Sequence, residues 1–259
     1  MDTIDSATEA TTTLLTLSSV SVAFGGLLAL GGIDLDVAQG ERLAVLGPNG
    51  AGKTTLFNVV AGDIRPTSGS VWIRGVDSTL LPSRRRPSLG VARTYQRTRL
   101  FPGLTVEDNL YLAVVGRHGR HRSLLRTPVD EQWRVRAQDA ARTVWLGERL
   151  GSAVGDLSHG EQRQLEVGMA VVTNPDLMML DEPASGLSRG ERERLVDLLD
   201  SLATDVTLLL IEHDMDVALR VAHRVVVMAD GKIIAAGTPD EIRGSRLVHD
   251  VYLGSEAHL

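Results

Sequence analysis

Cysteine is absent from the 259-residue sequence, and lysine occurs only twice, as Lys53 and Lys232. The lack of thiols excludes disulfides, thiolate metal sites and cysteine nucleophiles. No run of about eighteen consecutive apolar residues is present, so the sequence offers no membrane-spanning helix. A formal charge of −6 argues against a protein that coats nucleic acid. What remains is a chain whose hydrophobic fraction, 43%, is enough for a sizeable core.

The first thirteen residues lack the basic start and apolar stretch of a signal peptide. They carry Asp2, Asp5 and Glu9 among serine and threonine residues. We therefore expect residues 1–13 to form a flexible acidic leader, and the protein to be cytoplasmic.

The stretch Gly47–Thr55 fits the phosphate-binding pattern G-x-x-x-x-G-K-S/T. The apolar run Leu43–Leu46 precedes it and Leu56–Ala61 follows with helical character, which is the strand–loop–helix context that the pattern needs. Glycines let backbone N–H groups curl around phosphate oxygens, and the new helix adds its positive end. We expect Lys53 to reach the β- and γ-phosphates and the Thr54 hydroxyl to ligate Mg²⁺. A glycine-rich turn that binds nothing is the alternative.

Two further apolar runs end in residues able to act on a phosphate. Leu177–Leu180 is followed by Asp181 and Glu182, and Leu208–Ile211 is followed by Glu212 and then His213. The carboxyl ends of parallel strands meet at one sheet edge, where ligands bind in open α/β sheets. We expect Asp181 to hold Mg²⁺, Glu182 to act as general base and His213 to bond the γ-phosphate. In isolation, a solvated strand end and a satisfied histidine would explain the same residues.

The stretch Leu157–Gln162 predicts another helix start. Ser158 can cap this helix, and Gly160 removes a side chain where an anion would approach. An ordinary N-cap explains the local pattern equally well.

The periodicity of the rest predicts an α/β chain. Leu15–Val22 and Ile33–Val37 predict strands of a small antiparallel sheet, and residues 105–172 are mainly helical. Within that section, the pattern from Pro128 to about Leu150 predicts one long amphipathic helix. Buried strands alternate with helices after residue 177.

The motifs described above, taken in the order in which they occur along the chain, resemble those of the nucleotide-binding subunits of ATP-binding cassette (ABC) transporters. The family's Walker A, Q-loop, signature, Walker B and switch motifs resemble, in turn, Gly47–Thr55, Gln96, Leu157–Gln162, Leu177–Glu182 and His213. The implied fold is a P-loop NTPase core of the ABC ATPase type, with an antiparallel β subdomain and an inserted α-helical subdomain. Residues 14–259 would form one domain, with the core at 14–96 and 173–259 and the helical signature subdomain at 97–172.

The resemblance also implies roles for individual residues toward ATP and Mg²⁺. Phe24 would stack on adenine, although without the resemblance it reads as an ordinary buried phenylalanine. The implied catalytic residues are Glu182, His213, Gln96 and Lys53, and the implied Mg²⁺ ligands are Thr54, Gln96 and Asp181. The implied ATP contacts are Phe24, Gly47, Asn49, Gly50, Ala51, Gly52, Lys53, Thr54, Thr55, Ser158, Gly160 and Glu161.

A narrower resemblance is to the branched-chain amino-acid uptake ATPases, a subgroup with relatives proposed for urea or amides. It is carried by Phe24–Leu30, Arg93–Gln96, Leu100–Phe101, Leu104–Leu110, Ile211–Met215 and Tyr252–Gly254. It implies a homodimer or a heterodimer with a paralogue, on the cytoplasmic face of the membrane. Partners would be two integral membrane permease subunits and, indirectly, a substrate-binding protein, with no nucleic acid.

Some features depart from the family or stay open. Ser188 stands where the D-loop commonly has Asp or Asn, and His159 replaces a frequent Gly or Tyr of the signature. The basic stretches 84–86 and 117–126 are either solvated loops or contacts to anionic lipid or a membrane subunit. Two other functions share the scaffold. One is a soluble ATPase of translation or DNA repair, which usually carries two cassettes or coiled-coil inserts. The other is an export ATPase for a lipid-linked substrate.

Overall fold

A computed structural model of the chain describes residues 12–94, 100–118 and 128–256. In these residues the strands form two sheets, and β1 begins at Thr13, the last residue of the expected leader. Residues 1–11 lie outside the described part. The strands are β1 (Thr13–Phe24), β2 (Leu27–Ala38), β3 (Arg42–Leu46), β4 (Ser68–Ile73), β5 (Val76–Asp77), β6 (Val91–Arg93), β7 (Leu177–Asp181), β8 (Thr207–Ile211), β9 (Arg224–Ala229) and β10 (Lys232–Gly237).

The smaller sheet is antiparallel, in the order β2-β1-β4-β5, as the early alternating strands predict. The larger sheet has the order β10-β9-β3-β8-β7-β6. Its strands β9, β3, β8, β7 and β6 are parallel, and β10 closes one edge as a hairpin with β9. The carboxyl ends of β3, β7 and β8 are therefore neighbours at one edge of the sheet.

The α-helices of the described residues are α1 (Lys53–Ala61), α2 (Val106–His118), α3 (Pro128–Thr143), α4 (His159–Val171), α5 (Arg189–Ser201), α6 (Met215–Val221), α7 (Pro239–Arg243) and α8 (Arg246–Glu256). None of them is long and apolar enough to cross a membrane.

Two buried clusters explain why the parallel strands are apolar without a break. In β7, Leu177 and Met179 pack with α1 and the antiparallel sheet, whereas Met178 and Leu180 pack with the helical layer. Successive residues of a strand point to opposite faces, so a sheet covered on both sides needs apolar residues at every position. Both faces of the larger sheet are therefore part of the core, and polar residues appear only at the first or last position of its strands.

The prediction of one helix from Pro128 to about Leu150 is wrong, because α3 ends at Thr143. Trp145 adopts a left-handed backbone with φ 60°. Its N–H donates to Arg142 O at 3.0 Å, and Leu146 N–H donates to Ala141 O at 2.7 Å. These bonds form a Schellman ending in which tryptophan occupies the position usually taken by glycine. Leu146 is buried after the turn. Its burial offsets the cost of about 1–2 kcal/mol for a left-handed residue with a side chain.

Candidate functional site

The glycine-rich stretch forms a loop between β3 and α1. A Cβ atom at Gly47, where φ is 149°, would lie 2.3 Å from Met228 O. A Cβ atom at Gly52, where φ is 98°, would lie 2.7 Å from Ala29 O. Glycine is required at both positions because other chain segments pack closely against the loop. Asn49 and Gly50 lie on the exposed side, where nothing comes within 4 Å of a Cβ placed at Gly50.

Lys53 is the first residue of α1 and is largely buried under the loop. Its ammonium group donates to Gly47 O at 2.5 Å and to Pro48 O at 3.0 Å. Burial lowers the pKa of Lys53, whereas the nearby charges of Glu182 and Asp181 raise it. The structure therefore brings together the lysine and the two carboxylates that the sequence predicts at this edge.

Gly47 is also tied to the far end of the chain. Its N–H donates to Tyr252 Oη at 2.9 Å, and burial raises the pKa of this tyrosine. Helix α8, which carries Tyr252, therefore supports the back of the phosphate loop.

Asp181 ends β7 and leaves only 1% of its side chain exposed. No hydrogen bond to either carboxylate oxygen is found in the part of the chain that the structure describes. Arg93 Nη2 lies 3.9 Å from Oδ2, and burial raises the pKa of Asp181. Burying a carboxylate without hydrogen bonds is costly, so this side chain fits a site completed by a cation.

A cation at Asp181 would need ligands besides protein carboxylates. Within the described ranges, no group of three or more His, Asp or Glu side chains could hold a metal ion. Thr54, in the first turn of α1, is exposed and carries a hydroxyl oxygen. One carboxylate, a hydroxyl and the oxygens of a phosphate ligand match the way proteins bind Mg²⁺.

Glu182 and His213 follow β7 and β8 and lie beside each other. Glu182 has φ 47°, and its N–H donates to Ile211 O at 2.9 Å. Its carboxylate is about a quarter exposed, and Oε2 lies 3.9 Å from His213 Nδ1. The left-handed backbone turns the side chain out of the strand direction. Such strain is frequent at functional sites.

Glu212 belongs to this edge although the sequence pattern alone gives it no role. Its side chain is fully buried and accepts from the N–H of Ala184 at 2.9 Å and of His213 at 3.2 Å. Burial raises the pKa of Glu212, and these backbone bonds lower it. The carboxylate thus joins the segment after β7 to the residue after β8. A glutamate directly after a fully apolar strand is the signal that could have identified it.

Glu212→Ala should lower the free energy of unfolding by about 3 kcal/mol, because it opens a cavity and leaves the buried Ala184 N–H and the partly buried His213 N–H without their acceptor. Glu212→Gln keeps one acceptor oxygen, so its free energy of unfolding should lie between those of the alanine variant and the wild type. Urea unfolding measures all three proteins. The exposed Glu148→Ala is the control. Equal stability of Glu212→Ala and Glu148→Ala would contradict the bridging role.

Ser158 caps α4, with its Oγ accepting from Glu161 N–H at 3.2 Å and its N–H donating to Glu161 Oε2 at 2.8 Å. The Glu161 carboxylate also accepts from Arg149 Nε at 3.1 Å, and its hydrogen bond from Ser158 N–H lowers its pKa. Ser158 and His159 are exposed and Gly160 is partly exposed. The turn therefore lies at the surface, where a facing molecule could reach it.

Phe24 is described by the structure, whereas Gln96 and part of the second basic stretch are not. Phe24 ends β1 with half of its surface exposed, so the interpretation as an ordinary buried phenylalanine is wrong. Gln96 lies outside the described residues, as do residues 119–126 of the second basic stretch.

The first basic stretch is divided between surface and interior. Arg84 and Arg85 are exposed, whereas Arg86 is buried and donates to Ser78 O at 2.7 Å. Burial lowers the pKa of Arg86 to about 10. Arg86 is therefore neither a solvated residue nor a contact to lipid.

Comparisons with known proteins agree over nearly the whole chain. The family model "ABC transporter" matches residues 30–185, and the model "Branched-chain amino acid ATP-binding cassette transporter" matches residues 232–258. The high-affinity branched-chain amino acid transport ATP-binding protein LivG of Salmonella typhimurium is 39% identical over 254 residues, covering 93% of this chain and 98% of LivG.

Two of the similar solved structures are cassettes of ABC transporters. The ADP conformation of MJ1267, an ATP-binding cassette of an ABC transporter, has a TM-score of 0.81 and 26% identity, covering 94% of this chain and 100% of that one. The dimeric structure of MJ0796, a bacterial ABC transporter cassette, has a TM-score of 0.73 and 25% identity, covering 87% and 99%.

Proposed function

The chain belongs to the ABC transporter family as an ATP-binding subunit, an ATPase, and from this premise we propose that it energises the uptake of branched-chain amino acids or related small solutes such as urea and amides. The observation that carries the solute class is the near full-length likeness to LivG, joined by the match of residues 232–258 to the branched-chain model. The catalytic core at 14–96 and 173–259, with the helical signature subdomain at 97–172, is part of this proposal.

ATP would bind across the loop Gly47–Thr55, with its phosphates against the exposed N–H groups and the Lys53 ammonium. Mg²⁺ would be held by Asp181 and Thr54, with Gln96 as a further ligand. The buried Asp181 carboxylate, which has no hydrogen bond within the described residues, supports this assignment. Phe24, half-exposed at the end of β1, would provide the stacking surface for adenine.

Hydrolysis would use the residues that follow β7 and β8. Glu182 would take a proton from the attacking water as general base, and its partial exposure leaves room for that water. His213 would contact the γ-phosphate from its position beside Glu182. Mg²⁺ would neutralise charge that develops on the phosphate oxygens. Gln96 would join the core to the helical subdomain.

One chain supplies only part of this site. Ser158 caps α4, and Gly160 and Glu161 lie in its first turn at the surface; we assign these residues to the ATP bound by a second chain. The dimeric structure of the similar cassette MJ0796 supports a paired arrangement. The second cassette would be an identical copy or a paralogue. Closing the pair would exclude water and set N–H donors against the phosphate.

Two integral membrane permease subunits would complete the transporter at the cytoplasmic face of the membrane, served by a substrate-binding protein outside. A cavity of about 330 Å³ lies between the β6 region and helices α2 and α4, and it supports a docking site for a short permease helix. Most of its lining is apolar, including Val91, Leu100, Ala113 and Met169. Nucleic acid has no place in this assembly.

The proposal is tested by affinity purification from membranes of the source cell, followed by uptake assays. We expect the tagged chain to be recovered with two integral membrane proteins, and its deletion to reduce leucine uptake at least about tenfold because the pump loses its energy source. Expression of the wild-type chain in the deletion strain should restore uptake, and expression of the Lys53→Met variant should not. Recovery with ribosomes or DNA would favour the soluble ATPases. Unchanged uptake of leucine, urea and amides in the deletion strain would favour export of a lipid-linked substrate.

A further inference from the structure

One carboxylate joins the starts of the two helices α4 and α5. Glu191 occupies the third position of α5, and its Oε2 accepts from Ser188 N–H at 2.9 Å and from Ser188 Oγ at 2.7 Å. Its other oxygen, Oε1, accepts from Gly160 N–H at 2.9 Å. Gly160 lies 31 positions away, in the turn that begins α4. The carboxylate that completes the capping box of α5 therefore also holds the first turn of α4.

The same capping box occurs at two other helices without this extension. In α7, Glu241 Oε2 accepts from Thr238 N–H at 2.7 Å, and the box serves its own helix. In α4, Glu161 reaches the cap Ser158 and the side chain of Arg149. A capping box needs only the contacts within one helix. The contact from Glu191 to Gly160 is thus additional to what the cap of α5 requires.

The contact occupies a group that the proposed pairing needs. Glu161 N–H already donates to Ser158 Oγ, and Gly160 N–H donates to Glu191. On the proposed function, a phosphate of ATP held by the second chain approaches this turn and requires free N–H donors. Phosphate and the Glu191 carboxylate are both anions, so they compete for Gly160 N–H and repel each other.

Resting on the proposed function, we propose that Glu191 is a displaceable stand-in for phosphate, which blocks Gly160 N–H in the separated chain and must withdraw when the ATP of a second chain arrives. Ser188 holds the carboxylate in the blocking position, which gives the unusual D-loop serine a role within the chain. A place for the withdrawn carboxylate exists: a cavity of about 90 Å³ is lined by Glu191, Gly160 and Arg194. Arg194 lies three residues along α5 and offers the carboxylate an opposite charge.

Glu191→Gln tests the proposal, since the amide keeps the size of the side chain and removes its charge. Sedimentation velocity measures MgATP-dependent association in the Glu182→Gln background, with whichever second cassette, identical or paralogous, copurifies. We expect association about tenfold tighter with Glu191→Gln, because phosphate then displaces a neutral acceptor. The matched control is Glu241→Gln, at the same capping position of α7, and it should leave association unchanged.

Hydrogen exchange of the Gly160 amide, followed by NMR in the separated chain, tests the contact itself. In Glu191→Ala, the amide proton of Gly160 should exchange about tenfold faster than in the wild type, because the N–H loses its acceptor. Association of Glu191→Gln that equals or falls below that of its background, or an unchanged exchange rate at Gly160, would overturn the stand-in role. Absence of any MgATP-dependent association in the Glu182→Gln background would instead contradict the proposed function.

Discussion

Glu182→Gln should retain binding of MgATP and lose turnover by a factor of about 10²–10⁴, the usual contribution of a general base. The amide matches the carboxylate in size but cannot take a proton from water. The backbone that aims the side chain should stay in place, because Glu182 N–H still donates to Ile211 O. The neighbouring His213, 3.9 Å away, keeps its position beside an uncharged group of the same shape.

Steady-state kinetics separate the two effects of this variant. The turnover number kcat should fall while the dissociation constant for MgATP, measured by calorimetry, stays within about threefold of the wild type. The variant should also accumulate as an ATP-bound dimer, because ATP hydrolysis no longer separates the two chains. Glu148→Gln, on an exposed turn, is the control for a charge change alone. Full ATPase activity in Glu182→Gln would remove Glu182 from the role of base.

Lys53→Met should weaken MgATP binding by about a hundredfold or more. Methionine retains much of the apolar stem but loses the ammonium group, which donates to Gly47 O and Pro48 O and which we propose as a phosphate contact. Charge-assisted hydrogen bonds are each worth about 1.5–3 kcal/mol, and each 1.4 kcal/mol changes affinity tenfold. The substitution also removes the positive charge beside Asp181 and Glu182, the two carboxylates that raise the pKa of Lys53.

The sequence offers a matched control for this variant. Lys232 is the only other lysine and lies exposed in β10, so Lys232→Met changes charge and composition identically. Calorimetric titration with ATP in the presence of Mg²⁺ should find wild-type affinity in Lys232→Met and an affinity lower by about a hundredfold or more in Lys53→Met. Equal affinity in the two variants would mean that Lys53 takes no part in nucleotide binding.

The phosphate loop was predictable because its sequence requirements are local. Gly47 and Gly52 take backbone conformations that favour glycine, in places where a Cβ atom would collide with neighbouring backbone. The strand before the loop was equally clear, since a strand buried on both faces must be apolar at each position. The adjacency of Asp181, Glu182 and His213 follows from the parallel pairing of β7 with β8.

The features that sequence did not reveal depend on contacts between distant segments. The end of α3 at Thr143 is set by burial of Leu146 rather than by a glycine, so no local stop signal marks it. The cap of α5 is evident from Ser188 and Glu191, but the second contact of that carboxylate is to a residue 31 positions earlier. The burial of Arg86 within an otherwise exposed basic run likewise requires the folded neighbours.

The bond between Gly47 N–H and Tyr252 Oη has a practical meaning for anyone handling this protein. It links residues 205 positions apart, so the nucleotide loop is braced by a helix from the last dozen or so residues of the chain. Affinity tags and fluorescent fusions therefore belong at the amino end, before β1. A shortened gene product without α8 would keep all of the proposed nucleotide-contacting residues and still lose part of the support that shapes their loop.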